Sequence, residues 1–401
     1  MVDIAAAPSQ QRRADASWRT LVLVSTAHCV SHFYILVLPM LFPFLKAQLG
    51  VSYFALGVAL TVFGVVSLTQ APMGYVVDHL GARKILLIGL SLGGLALILL
   101  GLHLSYPALI ASAVLLGLAN SVYHPCDYAI LSAHMDAKRM GRAYSVHTFA
   151  GFLGGAVAPA VVAALVATVG GRGALVVSGA VAPLVALLLM VFGIPDTAPH
   201  HQPGSGVKPA RQSIVTPALI VLTMFFMLYG LSNAGIANFG VVALMTGYGA
   251  SYSIANLSLT AYLAATAVGV LAGGFLADRT ERHGKVAAIC FAIDAVVVLL
   301  IATVSLPSLL LALTMIAAGL LAGAIAPSRD MLVRSAAPAG AAGRAFGIVS
   351  TGFNFSGILG PLLFGWIMDR HLPHWVFGVT VVFMVLTALL APFTGGKRKA
   401  S

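Results

Sequence analysis

Seven side chains in apolar surroundings have the chemistry to move a proton or hold a charged ligand: His28, His32, His124, Asp127, His147, Arg329 and Asp330. His28 and His32 are four residues apart and share one helix face. His124 precedes Asp127 by three residues. Histidine titrates near neutral pH, so a face of His28, His32, His124 and Asp127 suits passing a proton or binding an anion. Asp127 and Arg329 stand 202 residues apart, an offset that recurs below. Opposite charges at matching places predict a pair, with Asp127 as proton carrier and Arg329 as its partner or an anion contact. A static ion pair stapling two halves is the plainer reading. Asp330 can also neutralise Arg329, although adjacent helical residues point about 100° apart.

Other polar groups are sparse. Tyr229 and Asn233 share a face, and with Asn238 and Asn354 they offer neutral hydrogen bonds to a substrate; asparagine is equally common as interhelical glue. Phe225, Phe226, Met227 and Phe239 read as packing or lipid-facing residues, and Asp294 as a packing or loop-proximal one. The histidines also admit a transition-metal reading if Cys29 and Cys126 join them. Cys29 lies about 100° around the helix from His28 and Cys126 about 200° from His124, which counts against it. No metal is assigned, and each histidine alone is open to the reading of a packed, satisfied side chain.

The elements that must position these residues are membrane helices. Sixty per cent of the 401 residues are hydrophobic and eight per cent charged, against about 25% charged in soluble chains. Such a chain cannot cover a water-facing surface. Twelve apolar runs fall at about 20–45, 52–77, 84–104, 107–133, 143–168, 173–194, 214–240, 251–276, 286–305, 308–333, 342–368 and 374–394. Membrane-barrel strands would be about ten residues long and alternating. The fold class is therefore all-α, with twelve transmembrane helices. Of 22 Lys and Arg, 18 fall on the side of the N-terminus; Lys46, Arg172 and Arg370 fall opposite, and Arg329 lies within a span. The positive-inside rule puts both termini in the cytoplasm. The net charge of +11 is scattered and forms no nucleic-acid-binding face. The three cysteines imply no disulfide framework.

The chain is also written twice. Gly74-Tyr-Val-Val-Asp78-His-Leu-Gly81-Ala-Arg83-Lys84 returns as Gly274-Phe-Leu-Ala-Asp278-Arg279, offset by 200 residues. Gly117…Pro125, Gly141-Arg142-Ala143 and Ala158-Pro159 return at 202 as Gly319…Pro327, Gly343-Arg344-Ala345 and Gly360-Pro361. The division is a tail at 1–19, six spans at 20–194, a Pro/Gly/Ser-rich linker at 195–213 containing His200 and His201, six spans at 214–395, and a tail at 396–401. Asp78 can pair with Arg142 or a helix N-terminus, and Asp278 with Arg344, as gates that hold the outward-open state.

These landmarks resemble the major facilitator superfamily of secondary transporters, whose turn between spans two and three reads Gly-x-x-x-Asp-Arg-x-Gly-Arg-Arg/Lys. Here it is Gly74, Asp78, His79, Gly81, Ala82, Arg83 and Lys84, with His79 in place of the usual Arg. His28, His32, Leu38-Pro39-x-x-x-Pro43, Thr69-Gln70-Ala71-Pro72 and Ser121-x-x-His124-Pro125 resemble the fosmidomycin-resistance branch of bacterial efflux transporters. Gly151-x-x-Gly154-Gly155-x-x-Ala158-Pro159 resembles the Gly-Pro motif of proton-coupled exporters, with Ala158 for the usual Gly.

The resemblance implies the major facilitator fold of two pseudo-symmetric halves, with spans one, four, seven and ten lining the cavity. It implies a monomer in the bacterial inner membrane that exchanges a small molecule for protons. The expected proton-coupling residues are Asp127, His28 and His32, and the expected substrate contacts His124, His147, Tyr229, Asn233, Asn238, Arg329, Asp330 and Asn354. The expected gate is Gly74, Asp78, Gly81, Arg83, Lys84, Arg142, Asp278, Arg279 and Arg344. Uptake of a small anion is the alternative, and transport of a transition metal or metal chelate a second. No enzyme motif, phosphate-binding loop or cofactor signature occurs.

Overall fold

Lipid offers the backbone no hydrogen bonds, so a chain this apolar must satisfy its peptide groups within helices. A computed structural model describes residues 10–136, 139–197, 216–337 and 342–394, and these contain helices and turns with no strand. Span one is Gln10–Met40, followed by a short helix Phe42–Leu49. Span two is Tyr53–Ser67 continued by Gln70–Leu80; Leu68 and Thr69 keep near-helical angles and tighten the turn with bonds to Val65 and Val66. Span three is Ala82–Leu102 and span four Tyr106–His134. Met140–Val191 is broken at Gly170 (φ 71°), making span five of 140–169 and span six of 171–191. Span seven runs through Pro217–Ala234, a π turn Gly235–Phe239 and Gly240–Tyr248. Spans eight to twelve are Tyr252–Asp278, His283–Thr303, Ser308–Ala336, Ala342–Asp369 and His374–Leu390.

Span one ends earlier than its apolar run suggests. Pro43 has no N–H to give the Pro39 carbonyl, and Leu41 leaves the helix at φ −91°, ψ 4°. The expected linker falls largely in 198–215, outside the described residues, as do His200 and His201.

The duplication extends to the turns. Gly50 closes one helix at φ 64° and Ser52 caps the next by accepting from the Ala55 N–H; Gly249 (φ 67°) and Ser251 repeat this 199 residues on. Glycine takes the left-handed angle without a Cβ penalty, and serine satisfies an otherwise unpaired helical donor. Packing repeats as well. Spans one and five, two and four, and three and six pack together, as do seven and eleven, eight and ten, and nine and twelve.

The halves meet through spans two and eleven, through span eight against the 140–191 pair, and through span one against the π turn of span seven. Spans four and ten pack only within their own halves to any substantial extent, so their inner faces border the space between. Hydrogen bonds between the halves cluster at the end marked by Asp369. The Tyr252 hydroxyl donates to the Met40 carbonyl (2.8 Å) and Thr61 to the Ile358 carbonyl (2.8 Å). Phe42 meets Phe239 with ring centres 5.3 Å apart. Along span two the contact then loosens. A Cβ on Gly57 would run into the Pro361 carbonyl and one on Gly64 would lie 3.2 Å from the Gly357 carbonyl, whereas one on Gly74 would meet nothing within 4 Å. The bundle is closed at the Asp369 end and parted toward the Asp78 end.

Candidate functional site

His147, Gly151 and Gly154 lie on one face of span five. A side chain at Gly151 would strike the His28 and His32 rings, and one at Gly154 the Cys29 main chain. These small residues let span five approach span one at backbone distance. The approach stacks His147 on His28, ring centres 3.8 Å apart and planes 26° from parallel.

Span four completes the site from a third side. Asp127 is fully buried, its Oδ2 lying 3.3 Å from His28 Nδ1 and 3.7 Å from His147 Nε2. Neither carboxylate oxygen has a partner at hydrogen-bonding geometry among the described residues. A carboxylate at mid-membrane costs about 2.5–3.5 kcal/mol on insertion scales; the basic groups facing this one are two imidazoles. His32 and His124 form an outer layer, half-buried, with rings 4.6 and 5.1 Å from His28. Tyr128, one turn beyond His124, is exposed and touches His147 and Tyr144 at 5.7 and 5.2 Å. A chain of imidazoles thus leads from exposed Tyr128 and half-buried His124 to a buried carboxylate.

One ring nitrogen from each of His28, His124 and His147 lies within 4.8 Å of the others. Ligands around a tetrahedral zinc at about 2.0–2.1 Å would stand roughly 3.3 Å apart. Three imidazoles so placed are near enough to be drawn onto an ion, but among the described residues Cys29 and Cys126 do not join them, and we assign no metal.

The expected Asp127–Arg329 pair is not formed: among the described residues Arg329 pairs with Asp330. Its Nη2 lies 2.8 Å and its Nε 2.9 Å from Asp330 Oδ1. Although adjacent side chains leave the helix in different directions, the long arginine side chain swings its guanidinium round to its neighbour. That guanidinium also sits among Phe226, Tyr229 and Phe353, 5.0, 5.6 and 5.3 Å from their ring centres. Phe226 therefore has a second role beside packing, whereas Phe225 and Phe239 are fully buried. Tyr229 donates weakly to the Ala322 carbonyl at 3.4 Å. Asn233 and Asn354 are exposed and Asn238 sits half-buried in the π turn. Asp294 is wholly buried in the middle of span nine, a packing position and not a loop-proximal one.

At the Asp78 end, Asp78, Arg142, Asp278 and Arg279 are exposed and no ion pair joins Asp78 to Arg142 among the described residues. The Arg344 side chain lies outside the described residues. Gly81 turns at φ 87° against the Asp196 carboxylate, which accepts from the Arg83 N–H at 3.2 Å. Asp196 thus helps cap span three beside Lys84, a role hidden in the sequence, where it reads as linker. Tyr128 was also missed, although its place after Asp127 and one turn from His124 was a signal.

The sequence matches the family model of the Major Facilitator Superfamily over residues 24–246 and 221–400. It is 26% identical over 288 residues to the fosmidomycin resistance protein of Escherichia coli K12, covering 70% of each chain. It is 25% identical over 392 residues to a probable sulfoacetate transporter of Cupriavidus necator, covering 86% and 87%. The fold is similar to that of a bacterial homologue of the human lysosomal transporter Spinster in an inward-facing, unoccupied conformation (TM-score 0.78, 15% identity, 97% and 98% coverage). The resemblance read from the turn and histidine motifs is borne out: the chain belongs to the Major Facilitator Superfamily, and is a multi-pass membrane transporter and not an enzyme.

Proposed function

We propose that this chain is a proton-coupled exporter of a small organic molecule in the bacterial inner membrane, with both termini cytoplasmic and its halves (20–194 and 214–395) rocking about the linker 195–213. The observation that carries the reading is Asp127, buried between His28 and His147 behind the half-buried ring of His124. A carboxylate within reach of two imidazoles offers alternative places for one proton. His32 and His124 stand between this carboxylate and the cavity, where cargo competes with the proton. With the Asp369 end closed, the Asp78 end admits cargo; a proton entering from the other side in the opposite state would favour the return.

The test is gradient-driven transport in proteoliposomes, using fosmidomycin as first cargo because a relative confers resistance to it. An acidic lumen should drive its accumulation by exchange, and D127N should abolish the dependence on the gradient. If D127N accumulates cargo like the parent protein, Asp127 is not the proton carrier.

Arg329 favours a second reading, uptake of a small anion with a proton. Its guanidinium lies in an aromatic recess, and one relative's name carries the anion sulfoacetate. Asp330 already neutralises it, so an anion would have to displace that carboxylate. Sulfoacetate uptake driven by an acidic exterior, with none driven by an acidic lumen, would select this reading over export.

A further inference from the structure

Span two begins with three N–H groups that no helical carbonyl can reach. Ser52 takes one, accepting from Ala55 at 3.0 Å. The other two go to the opposite half of the protein. Tyr53 N–H donates to Asp369 Oδ1 and Phe54 N–H to Asp369 Oδ2, each at 2.8 Å. Asp369 is the last residue of span eleven. Spans two and eleven run antiparallel, so the C-terminus of one meets the N-terminus of the other. A carboxylate there gains from the helix dipole and from two charge-assisted hydrogen bonds. Lys46 completes the contact, its Nζ 4.0 Å from Asp369 Oδ1 and 4.5 Å above the Tyr53 ring.

We propose that Asp369 is the latch of this end of the bundle, a positioning residue for the transport cycle that holds the halves together in the state seen here. Opening this end must draw span eleven away from span two and pull both oxygens off their donors. A cavity of about 560 Å³ lined by Lys46, Ser52, Tyr53, Thr246, Asp369 and His371 lies over the contact. Water can therefore reach the freed N–H groups, and the contact is releasable, unlike a buried staple. The acid is no part of the duplication, since Ala167 stands 202 residues earlier. The latch is an addition of the second half alone. The inference rests on alternating access and on neither the cargo nor the proton assignment.

Pulsed electron resonance on the full chain in lipid nanodiscs tests it. Spin labels would be placed at Gln48→Cys and Leu372→Cys, both exposed at this end, after Cys29, Cys126 and Cys290 are replaced. D369A should raise the ratio of long to short distances about fivefold to thirtyfold, the population equivalent of losing a helix cap. D369E should recover most of the short population. Phe54→Pro removes one donor in a first helical turn that tolerates proline, and should shift the ratio in the same direction, whereas Phe54→Ala should not. Unchanged distances in D369A, or equal effects of Phe54→Pro and Phe54→Ala, overturn the proposal. Should D369A fail to fold, the Phe54 pair decides.

Discussion

Among the described residues no arginine or lysine pairs with Asp127, and that determines what its neighbours must do. Among the described residues the basic groups within 4 Å of it are two imidazoles, which also stack on each other. Groups sharing one proton act as a unit, and their losses do not add. We therefore expect H28A to abolish gradient-dependent transport, and the D127N/H28A double variant to be no worse than D127N alone. Initial rates in proteoliposomes check this; additive losses would mean separate roles. Arg329 belongs to a different unit. Its planar guanidinium serves three rings and a carboxylate at once, which an ammonium cannot reproduce. R329K should raise the KM for cargo about tenfold, a loss of roughly 1.4 kcal/mol in affinity, while the dependence on the proton gradient persists.

Between elements, the site depends on how closely spans one and five approach. Gly154 lies against the Cys29 main chain, where no side chain fits. Gly154→Val should force the helices apart, cost about 1–3 kcal/mol of stability by overpacking, and pull His147 off His28. A lowered melting temperature in detergent together with lost coupling is the expected result. A stable G154V with lost coupling would show instead that spacing alone matters. Spans two and eleven make the corresponding contact between the halves. Gly57→Val, set against the Pro361 carbonyl, should wedge the Asp369 end open and lengthen the distance between labels at Gln48 and Leu372.

For the whole molecule, the asymmetry of charge and the asymmetry of closure can be tested together. Tyr75 is 68% exposed beside Asp78, and Leu372 is exposed near Asp369. With the native cysteines replaced, a membrane-impermeant thiol reagent should label Tyr75→Cys only from the cytoplasm and Leu372→Cys only from outside. Labelling of both from one side would refute the proposed topology.

The sequence by itself determined the solvent, the span count and the duplication. Those follow from composition, run length and a fixed offset, which lie along the chain and need no knowledge of neighbours. It also singled out the histidines and Asp127, because ionisable groups in apolar helices are few. It could not say which of them meet. Asp127 and Arg329 match across the repeat, yet one turned to His28 and His147 and the other to Asp330. Asp369 follows the apolar run 342–368, with nothing along the chain to mark it, and caps a helix in the other half. Such choices depend on how each helix is rotated and how near it is brought, which the glycine faces of spans two, five and eleven settle together. The partner of a side chain is a property of packed pairs, and only the tertiary structure contains those.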